Sequence, residues 1–103
     1  MSRRRPIVVA KAYNRRGDLI ARAANSYSKT HPLQAKYAER VGKPKAIYLH
    51  AEIACLLKAG TQTVHRLMVE RYYSNGEPAL AKPCPICRLA IKDWGVKLVE
   101  YTE

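Results

Sequence analysis

The sequence has no phenylalanine, only eight acidic residues, three cysteines and no apolar run approaching 18 residues. The last absence excludes a transmembrane helix. The basic stretch Met1–Pro6 is followed by no long apolar segment and cleavage site, which argues against a secretory signal. Three cysteines is an odd number, and two of them stand close together as Cys84-Pro85-Ile86-Cys87. That usage argues against a disulfide scaffold and for a metal site in a reducing, cytoplasmic compartment. Internal repeats, linkers and low-complexity tracts are also missing. The expectation is one compact domain over residues 1–103, with residues 1–5 as a basic tail.

What is present fits a packed core: 48% of the 103 residues are apolar and 26% are charged. The formal net charge is +11, and it is unevenly placed. Residues 1–45 hold 12 Lys/Arg against Asp18 and Glu39, a balance of +10; residues 46–103 hold seven against six. Such asymmetry points to a phosphate-bearing partner, against the plainer reading of a solvated surface that keeps a small protein in solution.

Ile7–Tyr13 and Leu19–Ala24 are apolar runs around a turn, Asn14-Arg15-Arg16-Gly17-Asp18, and read as a β-hairpin. Leu33, Tyr37 and Val41 recur at helical spacing between Pro32 and Gly42. Ala51–Ala59 reads as a helix stopped by Gly60, and Pro85–Trp94 as a helix stopped by Gly95. Val64–Tyr73 and Val96–Thr102 are strand candidates, and Tyr73–Lys82 reads as a turn with a returning arm. Strands alternating with helices beyond residue 46 imply parallel pairing there.

His50, Cys84 and Cys87 stand out as metal ligands. Imidazole and thiolate suit Zn²⁺, and two cysteines separated by two residues can reach one ion. Cys84 opens a helix, where free N–H groups favour thiolate. Three protein ligands leave a fourth position open, the mark of a catalytic site. Cys55 is five residues past His50, about 140° around a helix, and reads as a core residue. The spacing of His31 and His65 gives neither a claim to the fourth position. Glu52, two residues after His50, is placed to move protons beside such an ion. Alone it would read as a first-turn acid favoured by the helix dipole.

His50-Ala51-Glu52 followed by Pro83-Cys84-Pro85-Ile86-Cys87 resembles the zinc-dependent cytidine and deoxycytidylate deaminase superfamily. The resemblance covers nearly the whole chain, including the opening hairpin and Gly95-Val96-Lys97-Leu98-Val99 after the cysteine helix. It implies an α/β fold with a cytidine-deaminase-like three-layer core, a mixed sheet of antiparallel hairpin and parallel strands with helices on its faces. It implies one catalytic Zn²⁺ on His50, Cys84 and Cys87, with Glu52 carrying protons to N3 and to the leaving amine of cytosine. The Ala51 N–H would face the base carbonyl, and Asn25 would bind sugar or base. Many relatives continue with a further strand and helix after the last strand seen here, so an exposed sheet edge that a second copy of the chain covers is an expectation too.

The substrate is less sharply indicated. A free cytosine nucleoside or nucleotide such as dCMP ranks first. Single-stranded DNA or RNA, with cytosine or less favourably adenine as target, ranks close behind, because Tyr13, Tyr27 and Tyr37 interleave the basic half. Tyr27, Lys29 and His31 follow Asn25 and are expected at the pocket rim. A non-catalytic zinc-stabilised nucleic-acid-binding module is the alternative of another class, and Glu52 argues against it. No membrane partner is expected.

Overall fold

The computed structural model describes residues 7–26, 28–43, 48–73 and 75–102. Its elements run β1 (Ile7–Tyr13), β2 (Leu19–Ala24), α1 (Pro32–Arg40), α2 (Ala51–Ala59), β3 (Arg66–Tyr72), β4 (Pro78–Ala79), α3 (Pro85–Trp94) and β5 (Leu98–Tyr101). No helix among the described residues is long and apolar enough to cross a membrane.

The β1–β2 hairpin forms because its turn has the right chemistry. Asn14 Oδ1 accepts from the N–H groups of Arg16 and Asp18, at 3.0 Å each. Gly17 takes a φ of 90°, which a side chain would oppose. β1 pairs antiparallel with β2 on one edge and with β3 on the other, Ala10 lying between Ala23 and Val69. β3 therefore sits inside the sheet. Its second edge is shared: β5 runs parallel to Arg66–Val69, and β4 runs antiparallel to Arg71–Tyr72.

Thr102 closes the gap between these two short strands. Its N–H donates to Val69 O at 3.1 Å, and its carbonyl accepts from Ala81 N at 2.9 Å. Its hydroxyl donates to Ala79 O at 2.6 Å and accepts from Arg71 N at 3.0 Å. The arm from Tyr73 to Lys82 is thereby anchored on the sheet.

The core lies on one face of the sheet. Ala10, Ala12, Ala23, Leu67 and Val69 point to it, and their small side chains in β1 and β2 let α2 approach closely. α2 is buried nearly all round, as its composition requires: Ala51, Ile53, Ala54, Cys55, Leu56 and Ala59 are all inside. α3 adds Ile86, Cys87, Ala90 and Ile91, and α1 adds Tyr37 and Ala38. The Tyr37 hydroxyl donates to Asp93 at 2.9 Å, tying α1 to α3.

The expected three-layer core with helices on both faces is not what the described residues form. Their helices share one core on one face, giving two layers. The opposite face alternates Lys11, Arg66, Glu70 and Glu100 with apolar residues. Those charges pair across the strands, Lys11 with Glu70 at 2.8 Å and Arg66 with Glu100 at 2.6 Å. Arg66 also lies 4.1 Å over the Tyr13 ring. A face satisfied in this way needs no helix to cover it.

Candidate metal centre

Two helices begin at the same place. His50 is the N-cap of α2 and Cys84 the N-cap of α3, and neither side chain makes the capping hydrogen bond that Ser or Asp would make there. Both side chains turn to each other instead. His50 Nδ1 lies 3.2 Å from Cys87 Sγ and 3.5 Å from Cys84 Sγ. All three donor atoms fall within 4.8 Å of one another, close enough to bind one metal ion. Cys87 is one helical turn past Cys84, which brings both sulfurs to the same side of the start of α3.

The two thiols differ. Cys84 is lowered to about 4, because the Cys87 thiol donates to its sulfur and His50 lies beside it. Cys87 is pushed well above the ordinary thiol range by that same bond and by burial. His50 is raised by its hydrogen bond to Cys84. Two helix N-termini, each partly positive, add to the pull toward thiolate.

Glu52 sits in the first turn of α2 and is only 6% exposed. Burial raises its pKa, while its own backbone N–H and the nearby His50 act the other way. A carboxylate kept from water beside the donor cluster is poised to take up and release protons.

A cavity of about 390 Å³ opens onto His50, Glu52 and Cys84. Val8, Asn25 and Ser26 form one wall, Leu80, Ala81 and Lys82 another, with Tyr48 and Arg71 completing the lining and Ala51 at the floor. A wider cavity of about 890 Å³ lies past the C-terminal ends of α2 and α3, among Arg15, Arg16, His65 and Lys97, away from the donor cluster. His65 belongs to that end of the molecule. Cys55 is fully buried in the core, its Sγ 3.6 Å from Ala21 O.

The residues expected at the pocket divide. Asn25 lines the cavity, and its Oδ1 accepts from Val8 N at 3.1 Å. It is at once a strand-end fastener and a wall residue. His31 does not line the cavity: it is the N-cap of α1, its Nδ1 accepting from Leu33 N at 3.0 Å. Lys29 is exposed and contributes its backbone carbonyl to Leu49 N, outside the lining. Tyr27 lies outside the described residues, as do Arg3–Arg5 and Lys45. Of the tyrosines expected to interleave the basic half, the two among the described residues lie apart from the cavity: Tyr37 is core, and Tyr13 lies on the opposite face of the sheet under Arg66.

Three residues at the site carry no clear signal in the sequence. Gln34, fully buried on α1, accepts from His50 N at 3.2 Å and fixes the entry to α2. A polar residue on an otherwise core-facing helix side was the available signal. Tyr48, half exposed on the cavity rim, carried no periodic cue. Arg71 occupies a strand position that reads as one of several solvent-facing cations. Comparison of the chain with protein-family models and with curated proteins gives no match.

Proposed function

We propose that the chain is a zinc-dependent hydrolytic deaminase of cytosine nucleosides or nucleotides, converting cytosine and water to uracil and ammonia. The observation that carries this is a buried carboxylate, Glu52, beside a three-donor cluster whose remaining side opens into a cavity. Zinc fits the donors. Zn–S and Zn–N bonds of about 2.3 and 2.0 Å at tetrahedral angles place nitrogen and sulfur about 3.5 Å apart. The His50–Cys84 separation of 3.5 Å lies at that value and the His50–Cys87 separation of 3.2 Å is 0.3 Å shorter. A closed structural site would use four ligands and would have no work for Glu52.

The chemistry a zinc ion supplies when bound is Lewis-acid activation of water. His50, Cys84 and Cys87 hold it. Glu52 would take one proton from the attacking water and place it on N3 of the base, then carry the second water proton, left on the hydroxyl at C4, to the exocyclic nitrogen, which departs as ammonia. The Ala51 N–H stands in the first turn of α2, where helical N–H groups lack intrahelical partners, and serves the base carbonyl oxygen. Asn25 offers its NH₂ to the sugar, and Tyr48 an aromatic face at the rim. A cavity of about 390 Å³ is of a size for one nucleotide, which supports a free substrate ahead of single-stranded DNA or RNA. Thiolate ligands of this kind persist in a reducing compartment such as the cytoplasm.

The test is product formation. Zinc-loaded protein should release ammonia from deoxycytidine, cytidine, dCMP or CMP, and Glu52→Gln should keep one metal ion per chain while losing at least about 100-fold in rate, as expected for a general acid–base. Turnover unchanged in a metal-loaded Glu52→Gln protein would refute the reading.

A further inference from the structure

Two cations line the cavity beside the donor cluster, and neither is committed elsewhere. Arg71 comes from the end of β3 and Lys82 from the arm before α3. The ion pairs among the described residues are Lys11–Glu70, Arg40–Asp93 and Arg66–Glu100. Neither Arg71 nor Lys82 takes part. Arg71 goes further: its Nε is buried and has no hydrogen-bond partner among the described residues. A guanidinium nitrogen removed from water and left unpaired costs free energy, and the cost is recovered when a ligand supplies the acceptor.

The sheet explains why this arginine is inside. Arg71 pairs with Val8 and points to the same face as Val69 and Leu67, toward the helices rather than to solvent. Its N–H is taken by Thr102 and its neighbour Val8 by Asn25, so the backbone under it is fixed. The one carboxylate lining the cavity, Glu52, forms no ion pair with either cation. The cavity thus has a metal-binding side and a cationic side.

We infer that Arg71, assisted by Lys82, is an anion subsite that receives the phosphate of the substrate and selects a cytosine nucleoside monophosphate over the uncharged nucleoside. A planar guanidinium matches phosphate oxygens in pairs, and Lys82, on the arm that follows Arg71's strand partner Ala79, adds a point charge. This inference rests on the deaminase reading for its substrate but not for its anion.

The experiment compares dCMP with deoxycytidine, using the zinc-loaded full chain as wild type, Arg71→Gln and Lys82→Gln. The ratio of kcat/KM for dCMP over deoxycytidine is expected to fall about 10–100-fold in Arg71→Gln and by less in Lys82→Gln, as loss of a charge-assisted phosphate contact requires. Inorganic phosphate is expected to inhibit the wild type competitively. An unaltered ratio in Arg71→Gln overturns the inference while leaving the deaminase reading in place. If the wild type turns over neither compound, the deaminase reading falls, and thermal melts decide the subsite. A larger rise in Tm with dCMP than with deoxycytidine, abolished in Arg71→Gln, supports it; equal rises overturn it. If Arg71→Gln does not fold, wild-type competition by phosphate together with the Lys82→Gln ratio decides in the same directions.

Discussion

Replacing Gln34 by Met tests how the fold holds the donor cluster. The side chain is fully buried, and its Oε1 takes the N–H of His50 at 3.2 Å. Met keeps the volume and removes the acceptor, leaving that N–H in a half-buried loop without its partner. Stranding a buried donor costs about 1–3 kcal/mol. In a domain of about 100 residues each kcal/mol moves Tm by about 4–8 °C, so a fall of about 10 °C is expected. The second effect is on the metal. His50 is the N-cap of α2, and the Gln34 bond fixes the backbone from which its imidazole projects. Partners that orient a ligand are worth about 10–100-fold in metal affinity. Two assays read the two effects: thermal melts of metal-free protein, and competition for zinc against a chromophoric chelator. A lowered Tm with unchanged zinc affinity would show that Gln34 is only a packing residue. No change in either would show that the hydrogen bond does not form.

Further outcomes follow from other contacts. Thr102→Val removes the hydroxyl that joins Ala79 O to Arg71 N; it should cost about 1–3 kcal/mol and speed amide exchange in residues 78–82, and equal exchange rates would refute the anchoring role. Glu70 is lowered by Lys11 and Tyr72, so the stability it adds is present above its ordinary value of 4.5 and is lost as pH falls through its lower folded value. Lys11 is raised by the same partner, so its share is lost only as pH rises past its folded value above 10.5. Melts from pH 2.5 to 7 should therefore show a flatter acid limb for Glu70→Gln than for the wild type; parallel limbs would count against the pair. Cys55 is raised by burial to about 11, so native protein should resist its alkylation at pH 8 while unfolded protein does not; rapid labelling in the native state, read by mass spectrometry, would contradict its place in the core.

What the sequence disclosed follows a physical division. The hairpin, α2 and α3 have the bounds their signals implied, because each is punctuated by its own chemistry: the Asn14–Asp18 turn, Gly60, Pro85 and Gly95. The donor cluster was legible because its residues stand at helix starts, where spacing alone fixes direction. β4 was not, since two residues show no alternation and pair only because Thr102 holds them. Arg71 was invisible because a strand carries side chains to both faces, and only the register with β1 tells which face an arginine takes. His31 was misjudged for a related reason. Its ring satisfies the backbone at the start of α1, a use that sequence proximity to Asn25 cannot reveal.

The shared outer edge of β3 has a consequence for how such a protein can change. The three donor residues stand at the starts of α2 and α3, whereas the segment from Leu80 to Lys82 hangs on Thr102 and on two residues of β4. Insertions at the exposed turn near Gly76 lengthen the arm without shifting either helix. The shape of the cavity and the geometry of the donor cluster can therefore vary separately. Replacing the arm between Tyr73 and Pro83 alters one cavity wall and leaves His50, Cys84 and Cys87 on their own elements.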